Sequence, residues 1–176
     1  MGVQKRKKHI GWDESFMDIV AILARRPHCI HHQVACVLVD QNHRIISTGY
    51  NGPSSGNNNH CDDLIVGCSK DKGNGCRGLH AEDNAMRYVK GSLIEVLQNA
   101  TCYCLLLPCP QCMKNLLANG VKRIVFAQVY KRVARPDEKE ADKKSDYEIA
   151  LGLVREYSGV KVDIYNNRTK TTTSII

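Results

Sequence analysis

Three side chains that can bind zinc and one carboxylate are split between two short segments of the sequence. The segment H-A-E begins at His80, and the segment P-C-P-Q-C contains Cys109 and Cys112. One imidazole and two thiolates make three zinc ligands, whereas closed structural zinc sites normally have four. A position left open on zinc activates water near neutral pH. We therefore predict a catalytic zinc at these three residues, with Glu82 placed to carry a proton rather than to bind the metal.

Two helix N-termini are expected to position these side chains. Cys109 and Cys112 are three residues apart, so they share one face of a helix, and Pro110 suits the first turn of that helix. His80 precedes a second helical run over 81–90. The positive ends of both helix dipoles would then face the metal and offset the charge of the thiolates. Either half alone could be a redox pair, half of a structural site or a helix cap, but both halves in this order favour catalysis.

Length and composition indicate one folded enzyme domain. The chain has 176 residues, of which 43% are hydrophobic and 24% charged, which disfavours disordered and membrane proteins. No apolar stretch approaches the length of a membrane span, and no signal peptide is visible. Nine cysteines, an odd number with several metal-like spacings, argue against a secreted disulfide framework. We expect a reducing, cytoplasmic compartment.

A net charge of +7 raises the question of nucleic acid binding. Much of the positive charge lies at 5–8 and at 122–144, where acidic residues interleave with the basic ones. Aromatic residues make up only 6% of the chain, so a stacking platform for single strands is not expected. A solvated basic surface that suits an anionic small substrate is the favoured interpretation, and nucleic acid is not expected as a partner.

The hydrophobic pattern predicts an α/β domain over 11–165, with a basic segment at 1–10. Helices are predicted at 12–25, 81–90, 109–119 and 144–157, and strands at 34–39, 44–50, 101–107, 123–128 and 160–164. Residues 51–78 are rich in Gly, Asn, Ser and Asp and predict a long ordered loop, which in a compact domain is usually functional. The threonine-rich tail 166–176 is expected to be flexible.

A second group of cysteines lies in or beside that loop. Its members are Cys29, Cys61, Cys68 and Cys76, with His60 adjacent. They could form a second, structural zinc site, because a long loop with little apolar content needs some other stabilisation. Buried, inert thiols are an equally good explanation, so both interpretations stay open.

Several motifs resemble those of deoxycytidylate (dCMP) deaminases, within the cytidine deaminase superfamily. The pattern H-x-E…P-C-x-x-C is typical of the whole superfamily. The narrower resemblance rests on W-D-E-S-F-M, G-Y-N-G-P, H-C-D, C-R-G-L-H-A-E, L-P-C-P-Q-C and N-G-V-K-R-I-V, which occur in matching order. It covers about residues 11–130. The G-Y-N-G segment and the cysteine-rich loop point to the dCMP branch in particular.

The resemblance implies a three-layer α/β/α fold around a mixed sheet of about five strands. It implies hydrolytic deamination of dCMP to dUMP and ammonia, which supplies dUMP for thymidylate synthesis, usually in a homohexamer. Many members are activated by dCTP and inhibited by dTTP, with Mg²⁺ as a companion of the nucleotide effector. Glu82 would transfer protons between water, the ring and the departing ammonia. Asn51 would bind the sugar, unless it is only a turn residue, and the backbone near Ala81 would face the base.

One segment departs from the family pattern. Residues 30–33 read Ile-His-His-Gln where many members carry arginine, which would suit a 5′-phosphate. His31 or His32 could bind phosphate when protonated, the phosphate could be bound elsewhere, or the substrate could differ.

The alternatives are a deaminase of another cytosine (deoxy)nucleotide, a deaminase of a polynucleotide base, and a non-catalytic zinc-stabilised module. The scarcity of aromatic residues disfavours a polynucleotide substrate. Glu82 argues against the non-catalytic module, because a structural site has no use for a carboxylate beside an open ligand position.

Overall fold

A computed structural model describes residues 9–53, 56, 61–65, 67–73, 75–89, 93–130 and 145–176. The basic run 5–8, His60 and positions 131–144 of the charged region noted at 122–144 lie outside these residues. The elements are α1 Trp12–Leu23, β1 Ala35–Val39, β2 Ile45–Tyr50, α2 Ala81–Arg87, α3 Leu93–Leu97, β3 Thr101–Leu106, α4 Pro110–Ala118, β4 Arg123–Gln128, α5 Asp146–Arg155, β5 Lys161–Asn166 and β6 Thr171–Ser174. Within the described part of the chain, no helix has the length and apolar character needed to cross a bilayer.

The six strands form one mixed sheet in the order β2-β1-β3-β4-β5-β6. β3, β4 and β5 run parallel, and the outer pairs are antiparallel. Parallel neighbours need a crossover connection, and α4 supplies the one between β3 and β4. The helix that carries the two predicted zinc-binding cysteines therefore starts directly after the carboxyl end of β3.

Strand β1 shows how the sheet separates two apolar cores. All five of its residues are buried, and successive side chains point to opposite faces. Cys36 and Leu38 join the core formed with α2, α4 and α5, whereas Val37 and Val39 join the core formed with α1. Burial on both faces explains why this strand reads as a continuous apolar run. The predicted three-layer α/β/α fold is confirmed.

The predicted hairpin between the first two strands is also confirmed. β1 and β2 pair antiparallel, and Asp40 Oδ1 accepts hydrogen bonds from the backbone N–H groups of Asn42 and Arg44, both at 2.8 Å. His43 adopts a left-handed φ of 60°. Bonds from a short acidic side chain to the following backbone are what favour Asp at the start of a tight turn.

The sheet has six strands rather than about five, because part of the tail at 166–176, expected to be flexible, pairs with it. The tail forms β6, which pairs antiparallel with β5 and makes a sixth strand. Asn166 Oδ1 accepts a hydrogen bond from the Arg168 backbone at 2.9 Å and fixes the turn, and the Ile175 backbone donates to Val162 O at 2.7 Å. Three consecutive β-branched threonines fit an edge strand, and Ile176 at the end of the tail packs against the apolar core.

The other predicted elements are present, with ends shifted by at most three residues. The helix predicted at 144–157 begins later, because Ser145 and Glu148 form a capping box in which each side chain bonds the backbone of the other. The helix predicted at 81–90 ends at Arg87. The short helix α3 was not predicted, since five residues are too few for a helical apolar pattern.

An ionic network holds α1 against one face of the sheet. Arg123 donates to both carboxylate oxygens of Asp13, at 2.7 and 2.8 Å, and to Asp163 at 2.7 Å. The hydroxyl groups of Tyr103 and Thr172 also donate to Asp13. Partial burial alone would raise the pKa of Asp13, but these hydrogen bonds outweigh it and lower the pKa to about 2.

We expect Asp13→Asn to destabilise the fold at pH 7 by about 2 kcal/mol, the equivalent of the lowered pKa at a partly exposed group. A depressed carboxyl pKa contributes stability above the unfolded-state pKa near 3.8, and that stability is lost as the pH falls toward about 2. The difference between parent and variant in urea unfolding should therefore shrink between pH 4 and pH 2. Asp18→Asn is the matched control on α1, because its exposed pair with Lys170 should matter little. A pH-independent difference would contradict the prediction.

Candidate active site

Cys109 and Cys112 start helix α4, as the sequence predicts. Cys109 is the extended N-cap residue, Pro110 occupies the first helical position, and the Met113 backbone N–H donates to Cys109 O at 2.8 Å. Proline suits this position because its missing N–H has no partner there in any helix. Cys112 follows within the same first turn and is buried. Both thiols therefore lie at the positive end of the α4 dipole.

His80 occupies the corresponding place at the start of α2. It is the extended N-cap residue, and the preceding Leu79 exchanges two backbone hydrogen bonds with Gly52, at 2.7 and 3.1 Å. His80 Nδ1 lies 3.5 Å from both Cys109 Sγ and Cys112 Sγ. All three potential ligand atoms lie within 4.8 Å of one another. The predicted ligands are thus brought together by two helix N-termini.

The thiol and imidazole groups shift one another's pKa values, toward the thiolate at Cys109 and toward the protonated forms at His80 and Cys112. Hydrogen bonds from Cys112 and His80 lower the pKa of Cys109 to about 4. The hydrogen bond to Cys109 in turn raises the pKa of His80 to about 9. A thiolate is the form of cysteine that binds zinc, and two sulfurs with one imidazole nitrogen are a donor set that zinc prefers. The chemistry of this donor set fits zinc.

Glu82 is buried beside this cluster. Its exposed fraction is 5%, which is unusual for a carboxylate. Burial, followed by the neighbouring Cys102, raises the pKa of Glu82 to about 7. A carboxyl group that ordinarily ionises near pH 4 is thus held where it can both accept and release a proton.

The cluster opens into a cavity of about 280 Å³. Its lining contains His80, Glu82 and Cys109 at one part of the wall and the cysteine-rich loop at another. Side chains from the carboxyl end of β4 and the start of α5, among them Tyr130 and Tyr147, also line it. The sequence did not single out these two tyrosines, because neither belongs to a motif. The cavity is large enough for a small organic molecule.

Asn51 and Ala81, the predicted substrate-binding residues, both line the cavity. The Asn51 side chain also joins two backbone segments: Oδ1 accepts from Val34 N and Nδ2 donates to His32 O, each at 2.8 Å. These bonds fix the segment before β1 against the end of β2. Ala81 is the first residue of α2 and is 1% exposed.

Helix α2 is attached to β2 by contacts that the sequence analysis missed. Ser47 Oγ donates to Ala85 O and Asn84 Nδ2 donates to Tyr50 O, both at 2.7 Å. Between these bonds, a Cβ atom on Gly49 would overlap the Ala81 carbonyl oxygen and the Ala85 backbone nitrogen. Glycine inside a strand often marks such a close approach of another backbone, and that signal could have identified Gly49.

The two histidines that stand where the family often has arginine have separate environments. His31 Nε2 lies 2.8 Å from Asp71 Oδ1, and this bond raises the pKa of His31. The His32 ring meets the Tyr130 ring edge-on at 5.0 Å between centroids. Burial, followed by the nearby charge of Lys70, lowers the pKa of His32.

The loop cysteines gather at the same cavity. Its lining includes all four members of the predicted group, Cys29, Cys61, Cys68 and Cys76. Burial, followed by the neighbouring thiols, raises the pKa of Cys61. His31 and Asp71, which were not predicted as ligands, have atoms within 4.8 Å of Cys68 Sγ and of each other.

The fold and the His–Cys–Cys cluster beside a buried glutamate define the class of zinc-binding α/β/α deaminases. A sequence profile described as the cytidine and deoxycytidylate deaminase zinc-binding region matches residues 10–128, and the chain belongs to this family. This confirms the resemblance found in the sequence motifs.

Similar proteins carry related names. The deoxycytidylate deaminases of Schizosaccharomyces pombe and Saccharomyces cerevisiae are each 35% identical over 124 residues, which cover 68% of this chain and 38% of theirs. The chain therefore corresponds to less than half the length of these two relatives. The deoxycytidylate deaminase of Mycobacterium phage D29 is 33% identical over 131 residues, 65% of this chain and 93% of that one. The structure of dCMP deaminase from the cyanophage S-TIM5 in complex with dCMP and dUMP shares the fold, with a TM-score of 0.62 and 22% identity over 88% of this chain and 98% of that one.

We expect Gly49→Ala to displace the start of α2 and with it His80 and Glu82. The added methyl group meets backbone atoms rather than a flexible side chain, so the cost should reach the upper part of the usual overpacking range, about 3 kcal/mol. Urea unfolding and zinc content should both fall. Gly52→Ala is the matched control, because nothing lies within 4 Å of its Cβ position. Equal zinc content and stability in the two variants would show that the close approach is not needed.

Proposed function

We propose that the chain is a hydrolytic deaminase that converts dCMP to dUMP and ammonia. The observation that carries the proposal is a buried carboxylate, Glu82, beside three zinc-type ligands at the wall of a cavity. The relatives named deoxycytidylate deaminase support a cytosine nucleotide as the substrate. The dUMP formed would supply thymidylate synthesis.

His80, Cys109 and Cys112 are proposed to hold the zinc. They supply one nitrogen and two sulfur atoms, which leaves one position of a tetrahedral metal for a small ligand. Zinc in such a site supplies a Lewis acid that makes water reactive near neutral pH. The α2 and α4 N-termini stabilise the negative charge that the two thiolates bring to the site.

Glu82 is proposed to move the protons of the reaction. Its carboxylate takes a proton from the attacking water, passes it to the cytosine ring nitrogen and then helps protonate the departing ammonia. Position and burial support this role, because the carboxylate is two residues from His80 and shielded from bulk water. Asn51 and the Ala81 backbone, both on the cavity wall, are proposed to contact the sugar and the base.

A second, structural zinc is proposed in the cysteine-rich loop. The presence of all four cysteines in the lining of one cavity supports it, since thiols on a loop of little apolar content can supply zinc ligands. Cys61 and Cys68, which both line the cavity, are proposed as two of its ligands. The metal would hold the loop against the cavity.

Assembly, regulation and location are proposed from the family resemblance. We propose a homohexamer in the cytoplasm, activated by dCTP, inhibited by dTTP and using Mg²⁺ with the nucleotide effector. Free, unpaired thiols at every cysteine of the chain support a reducing compartment.

Metal analysis should find two zinc ions per chain in the parent protein. The double variant Cys109→Ala, Cys112→Ala should retain one zinc, because it removes two of the three ligands at the helix N-termini. The double variant Cys61→Ala, Cys68→Ala should also retain one. Cys36→Ala is the control, since Cys36 lies in the core outside both clusters. Full zinc content in the first double variant would refute the catalytic ligand assignment, and full content in the second would refute the loop site.

Ammonia release should be fastest with dCMP when dCMP, CMP, dCTP, deoxycytidine and adenosine are compared. Glu82→Gln should lower the rate by about 10²–10⁴ or more, since glutamine has nearly the same shape but cannot carry protons. Zinc content and unfolding midpoint serve as controls and should match the parent. A Glu82→Gln protein within twofold of the parent rate would refute the proton-transfer role. Release from none of the cytosine substrates would refute the proposed function.

A further inference from the structure

A nucleotide substrate brings a phosphate group to a cavity that has few positive charges. A phosphate monoester carries about −1.5 to −2 charges near pH 7, so its binding site needs a cation. Apart from His80, a predicted zinc ligand, the basic side chains among the described residues of the cavity lining are His28, His31, His32 and Lys70. Within this group, Lys70 is the one lysine, and its ammonium group is a compact point charge of the kind that binds phosphate.

Each of the three histidines is already engaged by another side chain. His31 is bonded to Asp71 at 2.8 Å, so any positive charge it carries is largely neutralised. His28 Nδ1 lies 2.7 Å from a carboxylate oxygen of Asp62. The His32 ring packs edge-on against an aromatic ring. A phosphate at any of them would compete with a contact that the fold already makes.

Lys70 is held at the cavity wall by its backbone while its ammonium group stays available. The Gly73 backbone N–H donates to Lys70 O at 3.0 Å, and the Lys70 backbone N–H donates to the buried Cys68 sulfur. Its side chain is exposed and lines the cavity. In the part of the chain that the structure describes, the ammonium group makes no hydrogen bond and no ion pair. A lysine on a fixed turn with a free head group is suited to bind an anion.

We infer that Lys70 binds the 5′-phosphate of the substrate and thereby selects nucleotides over nucleosides. This inference rests on the proposed function, since it names the residue of that same cavity that recognises the substrate phosphate. It moves phosphate recognition from the 30–33 segment to the turn that follows Cys68. The part of the cavity lined by His80 and Glu82 would then act on the base, and the part lined by Lys70 would bind the negatively charged phosphate.

The test compares kcat/KM for dCMP and for deoxycytidine, which differ only in the phosphate. Lys70→Met keeps the apolar stem and removes the charge, and should lower the dCMP-to-deoxycytidine preference by roughly 10- to 100-fold, as expected for one hydrogen bond to a charged group. The loss should appear mainly in KM for dCMP. Lys70→Arg should restore most of the preference. Lys72→Met is the matched control, because Lys72 lies in the same turn but outside the described cavity lining.

The outcomes separate this inference from the proposed function. A parent that prefers dCMP, with the same preference in Lys70→Met, overturns the role of Lys70 and leaves the deaminase proposal intact. An equal loss in Lys70→Met and Lys72→Met also overturns it, because a general loss of positive potential would then explain the result. Ammonia release from neither substrate in the parent overturns the proposed function and this inference with it.

Discussion

The site depends on two helices, α2 and α4, whose N-termini lie beside each other, although 29 residues separate His80 from Cys109 along the chain. A helix N-terminus fixes the position of its cap and first-turn side chains, and its dipole favours thiolates there. The start of α4 is set by the crossover between the parallel strands β3 and β4. The start of α2 is set by its close packing on β2, which a side chain at Gly49 would block. The geometry of the ligands is therefore a property of the sheet and its helices.

The cluster of His80, Cys109 and Cys112 could be predicted from the sequence because its information is local. Residue type and spacing within each short segment define a ligand set, and prolines and helical periodicity indicate which element carries it. The contacts that the sequence did not reveal are long-range. Ser47 bonds Ala85 across 38 residues and His31 bonds Asp71 across 40, and neither pair has a periodic signal. Such contacts depend on the register of the strands and on how the helices and loops pack against them.

Strand β6 was missed for a related physical reason. Its burial is low at nearly every position, so the apolar alternation that identifies half-buried strands is absent. The strand is stabilised by its backbone ladder with β5 and by the Asn166 turn. The β-strand propensity of a residue predicts a strand only weakly when its side chain is not buried. The threonines of this segment are compatible with a flexible tail as well as with an edge strand.

The burial of Glu82 lowers the stability of the fold at the site. Burying a carboxylate costs free energy of folding unless opposite charge or hydrogen bonds compensate it. The surroundings of Glu82 include the neutral, fully buried thiols of Cys36 and Cys104. The apolar packing of α2 against β1 and β2 holds the carboxylate in place nonetheless. Groups that break a local rule of stability are expected where a protein does chemistry. The buried carboxylate thus coincides with the group that the proposed reaction requires.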